Sequence, residues 1–444
     1  MTPVDRSAGD TAHPRPGASP PARPCRRAER LVLAALLLAC AGRGRVGAGA
    51  SGDREAAAEA APADEAEALF AALAARAEAH PKDASLRYVL ALLEERRGAP
   101  ERALARLREL APLGWDYALD DHDFPRARAL AGYGEIAEEL ARREPRVIGG
   151  EVARAYPAAG LFSEGIAWDP AGRAFFFGDM PSRRVLRAPL GGDPTPFGEP
   201  DPKSMFGPLG MHVDPATGTL WVASVAFAVI EGFDEADTGR ARLVALDLES
   251  GRPRASLEIG DRAAPSLLND VAPLPGGRAA VTDSQRGAVY LGDLDGQGLQ
   301  VLAPPGTFES PNGIVADNAG TTLYVADLFG LSAVDPTSGR TRRLEGPAGA
   351  YLGGVDGLCF ASGRLVGVQN LFGAPRIWAL AVTPAGLGPP TILSSADPRV
   401  EAPTTATIAE GALYLLANPQ IRGSAADSRA PIRLLRIPLD PDNH

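Results

Sequence analysis

Cysteine is scarce in this chain. The 444 residues hold three, Cys25, Cys40 and Cys359, too few for a disulfide framework. Lysine is scarcer, at Lys82 and Lys203 only, and the net charge is −10. With no basic stripe and no recognisable nucleic-acid module, a nucleic-acid partner is excluded. Histidine is thin as well, and only His212 falls inside the repeats described below. No Ser-His-Asp triad can be read from one histidine. Nor is any apolar run long enough for a membrane-spanning helix; the longest, 31–42 (LVLAALLLACAG), falls short. What remains is a composition of soluble globular type, 45% apolar and 23% charged, with 50 Gly and 41 Pro that suit turn-dense β structure. The length leaves room for two or three domains.

The amino-terminal stretch has a basic segment at 24–30 (PCRRAER) followed by that apolar run. This order is that of an export signal. Leu37-Leu38-Ala39-Cys40 resembles the bacterial lipobox, which implies lipidation of Cys40 and a signal peptide at 1–40. Cleavage as an ordinary secretory signal at Ala48-Gly49-Ala50, and an uncleaved anchor, stand beside that reading. Ala41 after the cysteine resembles outer-membrane sorting of such lipoproteins. Residues 41–64 then read as a small-residue, acidic tether. The expected protein is exported and held at a membrane through its lipid.

Apolar residues recur at helical spacing in 66–80, 85–98 and 101–111, and Gly98-Ala99-Pro100 punctuates a helix–turn–helix. A further helix is expected at 126–143, after the acidic loop Asp120-Asp121-His122-Asp123. The Gly98 to Ala103 interval resembles the tetratricopeptide pattern, although Pro112 arrives early for it. Residues 65–145 thus read as a small helical unit, either a cap packed on its neighbour or a module that docks a protein partner.

From 146 to 444 the pattern changes. One short phrase recurs, starting at Glu164, Leu209, Asn269, Asn312, Asp356 and Thr404. Each copy has a turn residue, a few apolar residues, a tight turn, and a strand with a polar end. Third strands follow, separated by turns such as DPAG, DPATG and DPTSG. A strand-built repeat of this period predicts a six-bladed β-propeller. Extra residues around 228–242 predict a long loop in the second blade. In such a fold the copies' opening residues surround one mouth of a central channel. Four are oxygen donors: Glu164, Asn269, Asn312 and Asp356. The second strands end at the same mouth, with Asp179, Ser224, Asp283, Asp327, Asn370 and Asn418. Carboxylates converging on an axis repel unless a cation joins them. Oxygen donors without a His or Cys ring suit Ca²⁺ better than Zn²⁺ or Cu²⁺. Each residue taken alone is also an ordinary turn former.

The segments Glu164 to Trp168 (EGIAW), Asn269 to Ala272 (NDVA), Pro311 to Ile314 (PNGI) and Asp356 to Leu358 (DGL) resemble the senescence marker protein/gluconolactonase family, over about 150–440. The resemblance implies one divalent ion in the channel, with Glu164, Asn312 and Asp356 as ligands. Asn269 would be a ligand or a substrate contact. Asp356 would double as the catalytic acid/base in hydrolysing a lactone or related ester, and Asp270, Asp283 and Asp327 would face the small-molecule substrate. Two departures matter. Leu267 stands where the family's sugar lactonases carry arginine, and the catalytic histidine of the related paraoxonases has no counterpart. Strand parity places His212 and Cys359 between blades. Two other readings remain: a binding or sensor propeller with a structural ion, and an ion-free scaffold whose four polar residues serve turns.

Overall fold

The computed structural model describes residues 63–119, 123–156, 163–198, 203–347, 350–371, 374–384, 386–401, 403–418 and 431–439. The expected signal segment with Cys40, the tether as far as 62, and Asp120, Asp121 and His122 lie outside the described residues.

The second strand of each repeat reads as a near-continuous apolar run, because both of its faces are covered by neighbouring sheets. Ala174–Asp179 and Thr219–Val225 are buried along their whole length. Outer strands such as Pro253–Ile259 alternate between buried and exposed. Among the described residues this produces six antiparallel sheets, the blades of a six-bladed propeller. Their inner strands are Ile166–Asp169, Gly207–Asp214, Leu268–Leu274, Ile314–Ala316, Val355–Ala361 and Ala406–Ala409. Each inner strand lies beside the next, and Ala406–Ala409 lies beside Ile166–Asp169, so the ring is closed. The sixth blade takes its outermost strand from the other end of the domain: Glu151–Tyr156 pairs antiparallel with Ile432–Pro438. The extra residues of the second blade form the connection between Thr219–Val225 and Ala241–Asp247.

Four helices precede the propeller among the described residues: α1 (Ala63–Ala79), α2 (Ala84–Arg96), α3 (Pro100–Leu107) and α4 (Tyr133–Arg143). None is long and apolar enough to cross a membrane. The Asp83 side chain caps α2, accepting from the Ser85 and Leu86 N–H groups at 3.0 and 3.3 Å. Gly98, at φ +74°, turns the chain into α3, which starts on Pro100. Two expected helices are shorter than their apolar spacing suggested. The third stops at Leu107, and Pro112 sits in a single 3₁₀ turn at Ala111–Leu113. The fourth begins only at Tyr133, because Gly132 is left-handed at φ +90° and cannot continue a helix.

The helices share one apolar core with Leu328 and Phe329, and Tyr351 and Leu371 pack against it. Leu328, Phe329 and Leu371 belong to connections between second and third strands, which lie at the end where the inner strands begin. The helical unit therefore sits at the channel mouth, over the fourth and fifth blades. Trp115 packs on Tyr88 at 4.9 Å and on Tyr351 at 5.1 Å between ring centroids. Such pairs contribute about 0.5–1.5 kcal/mol each beyond their buried area.

Candidate metal and catalytic site at the channel mouth

Six consecutive-blade positions form the rim: Glu164, Leu209, Asn269, Asn312, Asp356 and Thr404. The residue after each rim position explains how tightly the ring is drawn. It is glycine in four blades, and a Cβ on Gly165 would lie 2.1 Å from the Leu209 carbonyl oxygen of the next blade. At Gly313 the corresponding distance, to the Asp356 carbonyl oxygen, is 2.8 Å. These glycines permit close backbone approach between inner strands. At the seam where the ring closes, Thr404 and Thr405 donate their hydroxyls to the Glu164 carbonyl oxygen at 2.8 and 2.9 Å.

Asp270 is one of the two exceptions to glycine. Its carboxylate accepts from its neighbour's Val271 N–H at 2.9 Å and from Ile314 N–H of the fourth blade at 3.1 Å. Burial pushes its carboxyl up to about 7; the two N–H donors pull the other way, and the charge of Asp356 adds a smaller push. Asp270 thus lies under the rim as a buried carboxyl tied to backbone.

The rim residues of the fourth and fifth blades meet directly. The Asn312 amide nitrogen donates to Asp356 Oδ1 at 2.6 Å. Asn370 donates to Asp356 Oδ2 at 2.5 Å and to the Pro403 carbonyl at 2.6 Å. In the third blade Asn269 donates to Ser284 Oγ at 3.0 Å, and Ser284 donates to the Pro311 carbonyl at 2.6 Å. Ser284 and Asn370 therefore play one role in their two blades. A β-bulge at Val355/Gly357 presents Asp356, and another at Leu268/Val271 presents Asn269 and Asp270.

That correspondence corrects one expectation. The strand-end position filled by Asp179, Asp283 and Asp327 is filled in the fifth blade by Gln369, not Asn370, since the second strand there ends one residue earlier. The cross-strand pairs agree: Asp179 lies opposite Arg184, and Gln369 opposite Arg376.

Asp283 and Asp327, expected at a substrate, are placed otherwise. Asp283 is fully buried and its Oδ1 accepts from the Leu267, Gln285 and Arg286 N–H groups at 3.1, 3.0 and 3.0 Å. Asp327 accepts from the Phe329 and Gly330 N–H groups at 2.9 and 3.0 Å and pairs with Arg343 at 2.9 Å. Both carboxylates organise turns. His212 is a second correction. It is exposed on its inner strand while its neighbours are buried. Two residues, Leu209 and Gly210, oppose one across the bulge at Pro208/Met211, which upsets simple alternation. The surrounding walls lower its pKa by desolvation, with Asp214 opposing. Cys359 does lie between blades, its thiol donating to the Ala406 carbonyl at 3.2 Å, and burial pushes it up to about 12.

Does this rim suit a cation? Among the described residues no group of three or more His, Cys, Asp or Glu side chains gathers for a metal. The rim offers two carboxylates and two amides instead, a donor set of the Ca²⁺ kind. One atom speaks for the fit: Asn312 Oδ1 is buried and has no hydrogen-bond partner among the described residues. A buried carbonyl oxygen without a donor, beside a carboxylate, is costly unless something positive fills the gap.

No protein-family model and no curated protein matches the sequence. Solved structures similar to it include a gluconolactonase from Xanthomonas campestris, at 17% identity and TM-score 0.44, with 66% of this chain and 98% of that chain covered. The PQQ-bound aldose sugar dehydrogenase of Streptomyces coelicolor is similar at 17% identity and TM-score 0.46, covering 66% and 99%. The calcium-binding protein regucalcin from Agrobacterium tumefaciens is similar at 17% identity and TM-score 0.43, covering 66% and 96%.

Proposed function

We propose that the chain is a divalent-cation-dependent hydrolase of lactones or related esters, working at the channel mouth with Ca²⁺ as its ion. The observation that carries this reading is the Asn312–Asp356 pair: an amide 2.6 Å from a carboxylate, its own oxygen buried without a partner among the described residues. Glu164, Asn269, Asn312 and Asp356 would hold the ion. When bound, such an ion polarises an ester carbonyl and stabilises the developing oxyanion. Asp356 is oriented by the Asn312 and Asn370 N–H donors. It takes a proton from the attacking water as the new C–O bond forms. It returns that proton to the alkoxide released when the acyl C–O bond breaks. Leu267, half-buried two residues before Asn269, favours a substrate with an apolar arm over a polyhydroxylated one. From the basic and apolar segments at 24–42 alone, we propose further that the protein is exported and lipid-anchored through Cys40.

A second reading, a binding or sensor propeller, is favoured by the helical unit docked at the mouth. Calorimetric titration of Ca²⁺ into the metal-stripped protein and its Asp356→Ala variant, with a lactone and aryl-ester panel, separates the two. One-to-one binding lost in the variant, with turnover falling about 10²- to 10⁴-fold, supports the hydrolase. Binding without turnover of any ester leaves the sensor, and no binding by the wild-type protein ends the hydrolase reading.

A further inference from the structure

We propose that the helical unit is a positioning element of the channel site, with Tyr117 acting on Asp356 through Gln369 and Asn370. The proposal rests on the reading of Asp356 as ligand and acid/base.

Between α3 and α4, consecutive residues Asp116 and Tyr117 grip a cross-strand pair of the fifth blade. The Tyr117 hydroxyl donates to Gln369 Oε1. Arg376, opposite Gln369 in register, donates to Asp116 Oδ1 at 2.8 Å and to the Asp116 carbonyl at 3.0 Å. Its guanidinium also lies 3.6 Å from the Tyr117 ring centroid. Tyr117, Gln369 and Arg376 are all buried.

The amide of Gln369 cannot turn over. Its nitrogen donates to the Gly353 carbonyl at 2.6 Å and to the Tyr351 carbonyl at 3.3 Å. Its oxygen must therefore meet a donor, and Tyr117 supplies it. Burial raises the Tyr117 phenol well above its ordinary value, Arg376 opposing, so it stays protonated and donating.

The contrast with the first blade shows what the helical unit replaces. There the strand-end residue is Asp179 and it pairs with its own cross-strand Arg184 at 2.8 Å. In the fifth blade that place is Gln369, and the carboxylate facing the arginine is imported from Asp116. One step from this grip lie the two groups that set Asp356. Gln369 pairs with Val355, the residue on one side of the bulge that presents Asp356. The next residue, Asn370, donates to Asp356 Oδ2. A shift of Gln369 thus moves the carboxylate through both its backbone and its donor.

The test is Tyr117→Phe, which removes only the hydroxyl, with Arg76→Ala as control. Arg76 stacks over Phe329 at 4.4 Å, in the same interface but away from Gln369. Two quantities are read on the metal-stripped protein: Ca²⁺ affinity by calorimetry, and amide exchange of the peptide spanning 354–360. Tyr117→Phe should weaken affinity about tenfold, the low end of what outer-shell partners carry. It should also speed exchange in that peptide, while Arg76→Ala changes neither. Equal values in Tyr117→Phe and wild type overturn the proposal, as do equal losses in both variants, which would indicate general loosening of the interface. If the wild-type protein binds no Ca²⁺, the parent reading fails by itself. Exchange at 354–360 then decides the positioning, with unchanged rates in Tyr117→Phe counting against it.

Discussion

Asn312 and Asp356 belong to adjacent blades, 44 residues apart in sequence, yet their side chains meet at 2.6 Å across the seam. Asn312→Asp would set two carboxylates at that seam. Without a cation they repel, and the metal-stripped variant should lose about 1–3 kcal/mol of stability. Saturating Ca²⁺ should restore it, because an ion that binds only the folded state stabilises it by linkage. Thermal melts with and without Ca²⁺ check this. A variant that melts like wild type under both conditions would separate the pair from any cation.

Asp283 offers a test of a structural carboxylate. Burial raises its carboxyl above the ordinary 3.8. The folded state therefore holds this proton more tightly than the unfolded chain does. Its favourable contribution is full below 3.8 and is lost as pH rises through the folded value. Asp283→Asn keeps an acceptor for the three N–H groups and carries no charge. Relative to wild type it should gain stability from pH 4 towards neutrality, as read by urea unfolding. Asp283→Ala should cost about 2–4 kcal/mol at pH 4, since three N–H groups lose their acceptor, and that deficit should shrink towards neutrality.

Gly165 tests how tightly the ring is drawn. A methyl group there would press on backbone of the second blade, not on a side chain that can swing away. Gly165→Ala should cost about 3 kcal/mol, the upper range for overpacking. Gly276→Ala is the comparison, with nothing within 4 Å of the added carbon but a φ of +82°. It should cost about 1 kcal/mol, the strain of that backbone alone. Similar losses in the two would mean that the inner strands can spread.

The proposed lipid anchor has a direct readout. Expressed with its own amino terminus in a bacterium, the protein should incorporate an alkyne fatty acid and partition with membranes. Cys40→Ala should abolish both. Labelling that survives the substitution would remove Cys40 from the proposal.

Much of the propeller was legible because its period is carried by paired signals, an apolar inner strand followed by a turn and a buried second strand. The rim residues Glu164, Asn269, Asn312 and Asp356 followed from that register alone. Other features were not legible. The one-residue shift that puts Gln369 in the place of Asp283 comes from the first hairpin, which closes Leu274 onto Arg278 in the third blade but Ala361 onto Arg364, one residue tighter, in the fifth. His212 escapes the alternation because of the bulge at Pro208/Met211, and bulges leave no periodic trace. Asp283 and Asp327 look like substrate contacts by type and position, but turn N–H groups reach them first. The outer strand Glu151–Tyr156 precedes the first repeat, so no repeat-based argument could assign it to the last blade. The docking of Asp116 and Tyr117 joins residues 260 and 252 positions from their partners, a pairing that no local pattern contains.

The strand Glu151–Tyr156 waits for Ile432–Pro438, and this imposes an order on biogenesis. Five blades can form as they emerge, but the sixth has no complete sheet until Ile432–Pro438 has been made. A ribosome stalled anywhere in the last blade leaves an open ring with exposed inner-strand edges. Such edges recruit other strands. The protein should therefore be all-or-none in the cell, with truncated chains cleared or aggregated and not partly active.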